Sequence, residues 1–211
     1  MASTPEGADS PLILASASTA RAALLRAAGV EFTIEPAAVD EAAIKHDYRA
    51  AGRDALACAT ALAEAKARAV AARHPEAIVI GADQILVAGE EWAGEEWFDK
   101  PGDLAEAAAQ LRLLRGRDHI LVTAACAIRG EARLWRANAM PKLTMRRFGE
   151  AFLTRYIEAE GNAVLGSVGA YRIEGAGVQL FTRIEGDHFA ILGLPLLELL
   201  EFMRGRGLLG E

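Results

Sequence analysis

A short apolar segment near the start of the chain ends in hydroxyl side chains and leads directly into a helix. Residues 12–15 read Leu-Ile-Leu-Ala, which is typical of a buried strand. Ser16 and Ser18 follow, and Arg21 enters a helix predicted for residues 20–28. The unpaired N–H groups and the dipole at such a helix start favour an anion, and Arg21 adds further donors. An anion-binding corner is one interpretation, and an ordinary serine cap on a surface helix is the other.

Composition and charge limit the class of protein. The 211 residues are 52% hydrophobic and carry a net charge of -6, so they can bury a substantial core but offer no basic surface for a nucleic acid polymer or an anionic membrane. Residues 1–11 lack the basic start and apolar run of a signal peptide, and we interpret them as a flexible leader before a single domain at residues 12–211. The apolar stretch at residues 191–203 is too short to span a bilayer. We therefore expect a soluble, cytoplasmic protein.

Helical and extended patterns alternate along the chain, which predicts an α/β fold. Strands are predicted at residues 12–15, 77–83, 120–128 and 131–145, the last two forming a long hairpin around Arg129 and Gly130. Further helices are predicted at residues 54–74, 104–114, 150–159 and 194–204. Residues 89–99 are predicted to be a loop, and residues 166–184 are predicted to contain either tight turns or a close backbone approach to a ligand.

The predicted strand at residues 77–83 ends in Asp83. Ligands of open α/β sheets bind at the carboxyl ends of the strands, so this position favours a functional carboxylate over a simple turn residue. Asp83 is therefore a candidate catalytic group.

Five charged residues suit phosphoryl chemistry: Arg21, Glu41, Lys66, Asp83 and Lys100. The cations can neutralise a polyphosphate, and the two carboxylates can hold a divalent metal ion and orient water. Each also has an ordinary explanation. Lys66 can be a solvated helix residue beside Glu64, and Glu41 can be the first-turn acid of a helix near Ile44.

Two common nucleotide-binding motifs do not apply. The chain has no P-loop sequence, and the glycine pattern at residues 205–210 follows a helix instead of a strand. The histidines and the two cysteines also lack zinc-binding spacing.

Over nearly its whole length from Leu12 to Leu209, the chain resembles the Maf family of nucleoside triphosphate pyrophosphatases. The resemblance depends on separate motifs that occur in the family's order: residues 14–21, Val39-Asp40-Glu41, Ala63-Glu64-Ala65-Lys66-Ala67, Gly81-Ala82-Asp83-Gln84, Lys100-Pro101, residues 183–187 and Gly193-Leu194-Pro195.

The resemblance implies a mixed, twisted sheet with flanking helices and a cleft between two lobes, in a chain that often forms a homodimer. It implies hydrolysis of a nucleoside triphosphate to the monophosphate and pyrophosphate, assisted by Mg²⁺ or Mn²⁺. Residues 12–211 are then one catalytic domain. The alternatives are a nucleotide-binding regulator of septum formation and cell division with little or no turnover, or a phosphatase that releases orthophosphate.

Residue roles are also implied by the resemblance. Asp83 matches the base that activates water, and Glu41 matches an acid of the metal and catalytic site. The positions that hold the substrate are matched by Ser16, Ser18, Arg21, Lys66 and Lys100.

Gln84 and Glu174 resemble the branch of the family that prefers 7-methyl-GTP over dTTP and UTP. The Glu174 carboxylate can accept the N1–H and N2–H donors of guanine, and the alternative is that it pairs with Arg172. Four residues depart from the family's usual pattern: Thr19, Ala20, Asp99 and Ala190.

Overall fold

The computed structural model describes residues 10–89 and 96–210, and residues 1–9 of the predicted leader lie outside this part. Its strands are β1 (Leu12–Leu14), β2 (Thr33–Ile34), β3 (Ile78–Ala88), β4 (Glu96–Phe98), β5 (Asp118–Arg129), β6 (Ala132–Ala139), β7 (Lys142–Met145) and β8 (Phe181–Glu185). Its helices are α1 (Thr19–Ala27), α2 (Glu41–Ala50), α3 (Ala55–Ala71), α4 (Leu104–Leu114), α5 (Glu150–Glu160), α6 (His188–Ile191) and α7 (Leu196–Gly205). Short 3-10 helices at Gly161–Gly166, Val168–Ala170 and Ala176–Leu180 lie between α5 and β8 in the chain.

The strands form one mixed eight-stranded sheet. Its main order is β2-β1-β3-β5-β7-β8, with β4 paired to β3 and β6 paired to β5. β1 runs parallel to β2 and β3, whereas β5 is antiparallel to β6 and β7. The predicted α/β fold with a mixed sheet and flanking helices is confirmed, and the cleft between two lobes stays a prediction.

The chain is organised in two compact units. Among the described residues, the first contains residues 10–83, 123–139 and 188–210, and the second contains residues 84–89, 96–122 and 140–187. Strands β3 and β5 each contribute residues to both units.

The core of the first unit is aliphatic. Leu14 on β1, Leu25 on α1 and Met203 on α7 are completely buried in it. Burial of each such side chain stabilises the fold by about 1.5–3 kcal/mol. This core packs α1, which carries Arg21, against β1 and α7.

Four helices begin with a capping side chain that the sequence supplies. Ser18, Asp40, Asp54 and Asp103 each accept a hydrogen bond from the backbone N–H three residues later. A cap of this kind stabilises a helix by about 1 kcal/mol. The caps of α1 and α2 also fix the backbone beside Arg21 and Glu41.

The sequence predicted that Asp83 ends its strand, and this prediction is wrong. β3 continues to Ala88 because Ile85 and Leu86 are fully buried and residues 86–88 pair with β4. The pairing of β3 with β1 ends at Ile80, so Asp83 lies just beyond its parallel neighbour.

The predicted hairpin is confirmed in β5 and β6, which pair from Thr123–Ala139 to Arg129–Ala132. The region predicted as its second strand divides at Pro141 into β6 and β7, and β7 pairs with the other end of β5. The loop predicted for residues 89–99 contains β4, while residues 90–95 lie outside the described part.

The second unit contains an aromatic cluster of His119, Tyr171 and Phe181, in which His119 and Tyr171 are buried. His119 Nε2 lies 2.9 Å from the Tyr171 hydroxyl oxygen. Burial lowers the pKa of His119 to about 4, so this imidazole is neutral at pH 7. Among the described helices, none is long and apolar enough to cross a membrane.

Candidate active site

The serine corner connects β1 to α1 by short-range hydrogen bonds. Ser18 caps α1 by accepting a bond from the Arg21 backbone N–H at 3.4 Å, which confirms the capping interpretation. The Ser18 N–H donates to Ser16 Oγ at 3.2 Å, and Ser16 is buried. The capping role does not exclude an anion here, because Arg21 is brought to the same place.

The Arg21 guanidinium is buried and held by neutral oxygens. Its Nε donates to the Gly193 carbonyl at 2.7 Å, and its Nη1 donates to Ser16 Oγ at 3.1 Å. Burial lowers its pKa, and the charges of Asp83 and Glu41 oppose that effect. A buried cation whose hydrogen bonds go to neutral groups is well suited to an anionic ligand.

Lys66 brings together the two candidate carboxylates. Its ammonium donates to Asp83 Oδ1 at 2.5 Å and lies 2.9 Å from Glu41 Oε1. The side chains of Lys66 and Asp83 are only 9% and 7% exposed, whereas that of Glu41 is 44% exposed. The solvated position considered for Lys66 is therefore wrong. Glu41 is the first residue of α2, as its alternative explanation required, but it also joins the buried pair.

A close approach of backbones positions Lys66 beside Asp83. A Cβ atom on Gly81 of β3 would collide with the Ala63 carbonyl and lie 2.8 Å from Ala67 Cβ on α3. Only glycine permits this packing. Glu64, which the sequence placed beside Lys66, instead pairs with Arg133.

Asp83 has one occupied and one unpartnered oxygen. Lys66 holds Oδ1, while Oδ2 is buried and has no hydrogen-bond partner among residues 10–89 and 96–210. Leaving a carboxylate oxygen without a donor is costly in a protein interior, and such atoms occur at sites for ions, water or chemistry. Oδ2 is therefore the candidate reactive atom, or a metal ligand.

The remaining predicted site residues belong to the second unit. Gln84 follows Asp83 on β3 and is half-buried, and Lys100 follows β4 and is exposed. Gln110 on α4 donates to the Asp99 carbonyl at 3.0 Å and so fixes the backbone that precedes Lys100. Glu174 lies in the segment between two 3-10 helices.

Glu174 pairs with Arg172, as its alternative interpretation required. Arg172 Nε donates to Glu174 Oε1 at 3.1 Å, and 40% of the Glu174 side chain stays exposed. The pairing leaves Glu174 accessible to a ligand.

Three supporting residues were missed from the sequence: Gly193, Gln110 and Glu160. The hydrogen bonds of the Gly193 carbonyl with Arg21 and of Gln110 with the Asp99 carbonyl each join distant parts of the chain. The Gly193-Leu194-Pro195 motif marked Gly193 without indicating its contact with Arg21, and no local pattern marked Gln110. Glu160, the last residue of α5, accepts a hydrogen bond from Arg172 Nη1 at 3.1 Å, and the available signal for it was its position four residues after Tyr156 on the same helix face.

Comparison with known proteins places the chain in a family. The family model described as "Maf-like protein" matches residues 11–206. A nucleoside triphosphate pyrophosphatase of Granulibacter bethesdensis is 54% identical, covering 92% of this chain and 95% of its own length. A 7-methyl-GTP pyrophosphatase of Rhizobium meliloti is 45% identical, covering 93% of this chain and 96% of its own. The arrangement of Arg21, Lys66 and Asp83 occurs within this match, and the chain belongs to the Maf family.

Proposed function

We propose that this chain hydrolyses nucleoside triphosphates to nucleoside monophosphate and pyrophosphate. The observation that carries the proposal is the buried Asp83 carboxylate, with Lys66 on one oxygen and no partner for the other in the described part of the chain. The names of the relatives in Granulibacter bethesdensis and Paramagnetospirillum magneticum, the latter 51% identical, support the same reaction.

Asp83 is the proposed general base. Its Oδ2 takes a proton from water while the water oxygen attacks the α-phosphorus, and the bond to the bridging oxygen breaks to release pyrophosphate. The Lys66 ammonium holds Oδ1 and so fixes the direction of Oδ2. A base positioned in this way contributes about 10²–10⁴ in rate.

The cations around Asp83 are the proposed triphosphate contacts. Arg21 and Lys66 neutralise charge that grows on the departing pyrophosphate, and Ser16 and Ser18 direct the phosphate to the start of α1. Lys100 is proposed as a further phosphate contact. Arg21 is already oriented by Ser16 and Gly193, so little reorganisation is needed when the substrate binds.

A divalent metal ion fits the carboxylates present. The exposed carboxylate of Glu41 is a hard oxygen donor of the kind that Mg²⁺ and Mn²⁺ prefer, and the unpartnered Oδ2 of Asp83 is a second such donor in the states in which it does not accept a proton. Mg²⁺ is commonly held by one or two carboxylates together with substrate phosphates, and Asp83 and Glu41 would supply the carboxylates. When bound, the ion would neutralise phosphate charge and polarise the phosphoryl oxygens.

The proposed base preference is guanine, and 7-methylguanine in particular. Glu174 offers an exposed carboxylate to the N1–H and N2–H donors, and Gln84 is the proposed second contact. The Rhizobium meliloti relative supports this preference by its name.

Three broader properties are part of the proposal. Residues 12–211 act as one catalytic domain, because β3 and β5 contribute to both units. A cytoplasmic location agrees with two buried free cysteines, and burial raises the pKa of the Cys126 thiol to about 12. We also propose a homodimer, as the resemblance implies.

Product identification tests the function. Purified protein is incubated with Mg²⁺ or Mn²⁺ and with the canonical triphosphates, 7-methyl-GTP and modified pyrimidines, and products are separated by ion-exchange chromatography. Pyrophosphate with equimolar monophosphate is expected. Orthophosphate would indicate a phosphatase, and nucleotide binding without any product would indicate the regulatory alternative.

A further inference from the structure

Two residues of α5 hold the segment that carries Glu174. The Tyr156 hydroxyl donates to the Ala170 carbonyl and accepts the Arg172 backbone N–H, both at 3.3 Å. Glu160, one helical turn further along, accepts the Ala176 backbone N–H at 2.8 Å through Oε1. One face of α5 thus fixes residues 170–176 through hydrogen bonds to the backbone of Ala170, Arg172 and Ala176.

The other oxygen of Glu160 holds a side chain. Arg172 Nη1 donates to Glu160 Oε2 at 3.1 Å, and the Glu160 side chain is only 8% exposed. The same guanidinium donates from Nε to Glu174 Oε1 at 3.1 Å. A buried carboxylate therefore fixes the arginine, which in turn fixes the exposed Glu174. We call these three residues the Glu160–Arg172–Glu174 network.

Two glycines show how closely this segment is packed. A Cβ atom at Gly175 would lie 2.7 Å from Glu160 Oε1, and one at Gly177 would collide with the Arg172 backbone. Such close packing restricts the alternative positions of Arg172 and preorganises its ion pair with Glu174.

The charges of the Glu160–Arg172–Glu174 network do not cancel. Two carboxylates share one guanidinium, and Glu174 is the more exposed of the two. Burial would lower the pKa of Arg172, but the carboxylates of Glu174 and Glu160 outweigh burial and raise it, so the arginine remains charged.

We propose that Arg172, held by Glu160, is a positioning residue that orients Glu174 and thereby sets the preference for a base with adjacent N–H donors over one with carbonyl acceptors. The proposal depends on the proposed function. Guanine presents two N–H donors to a carboxylate, and 7-methylguanine adds positive charge. Uracil presents one N–H between two carbonyl oxygens, which a fixed carboxylate repels.

The test compares Arg172→Met with Arg129→Met. Arg129 also pairs with a glutamate, Glu76, at 3.0 Å, and the two arginine side chains are 35% and 36% exposed. Methionine keeps the stem of the side chain and removes its hydrogen-bonding fork. The quantity measured is the ratio of kcat/KM for 7-methyl-GTP to kcat/KM for UTP.

We expect Arg172→Met to lower this ratio about tenfold while kcat for UTP changes less than about twofold. Glu160→Gln retains an acceptor for Ala176 and should lower the ratio in the same direction, while Arg129→Met should leave it unchanged. An unchanged ratio in Arg172→Met, an equal loss for both nucleotides, or a wild type without preference for 7-methyl-GTP would overturn the proposal.

Calorimetric binding of both nucleotides separates this inference from the proposed function. If the wild type binds nucleotides but releases no pyrophosphate, the proposed function fails, and the ratio of dissociation constants for 7-methyl-GTP and UTP then becomes the readout. Arg172→Met should still move that ratio about tenfold. No movement would overturn the positioning role independently of turnover.

Discussion

The Lys66 ammonium lies 2.5 Å from Asp83 Oδ1, and both side chains are more than nine-tenths buried. Burial of a carboxylate away from water is costly unless a cation pairs with it. Lys66 therefore supports both the fold and the proposed chemistry, and its two roles can be separated by substitution.

Lys66→Met should destabilise the protein by about 3 kcal/mol at pH 7, because it leaves the Asp83 charge buried without its partner. Lys66→Met combined with Asp83→Asn should recover much of that loss, since the unpaired charge is removed. Urea unfolding measures both free energies. A double variant less stable than Lys66→Met would show that the ion pair is not the source of the effect.

Gly81→Ala should destabilise the protein by about 1–3 kcal/mol and reduce turnover, because the added Cβ pushes α3 and Lys66 away from β3. Gly205→Ala is the matched control. It lies at the end of α7 with open space around its Cβ, and alanine there should stabilise the helix by about 0.5–1 kcal/mol. Similar stability of the two variants would contradict the close packing at Gly81.

Gln110→Met should raise KM for the triphosphate about 3- to 10-fold and change kcat little. The substitution removes the hydrogen bond that fixes the Asp99 carbonyl before Lys100, while the volume stays similar. Leu113→Met, at an exposed position of the same helix, is the control. If KM stays at the wild-type value, Gln110 does not position a substrate contact.

The stability of the second unit should depend on pH through His119. Its pKa of about 4 in the folded state is below the ordinary value of 6.5, so the unfolded chain binds more protons between these values. Stability is therefore lost as pH falls, by about 2 kcal/mol between pH 7.5 and 5. Urea unfolding of the wild type and His119→Gln should show a steeper loss in the wild type, and parallel curves would contradict this account.

Local sequence signals were sufficient for most elements of the fold. The apolar segment before Ser16 and the cap at Ser18 were identified correctly because their causes lie within a few residues. The extension of β3 past Asp83 was missed, because a polar pair, Asp83 and Gln84, interrupts the apolar pattern and pairing with the distant β4 stabilises the continuation.

The candidate site was predictable mainly in its residue types. Lys66, Asp83 and Glu41 were identified from their chemistry and the family resemblance, but their convergence depends on the packing of α3 against Gly81. Glu160 was not identified, because an acid at the end of a helix resembles any solvated residue until its burial is known.

The most direct test of the central claim is the rate of pyrophosphate release by Asp83→Asn, with Glu198→Gln on the exposed face of α7 as the control. Asparagine keeps the size of the side chain but cannot accept the proton from water. We predict that turnover falls about 10²–10⁴-fold in Asp83→Asn while nucleotide binding and folding persist, and that Glu198→Gln retains wild-type turnover. Near-normal turnover by folded Asp83→Asn would contradict the assignment of Asp83 as the base.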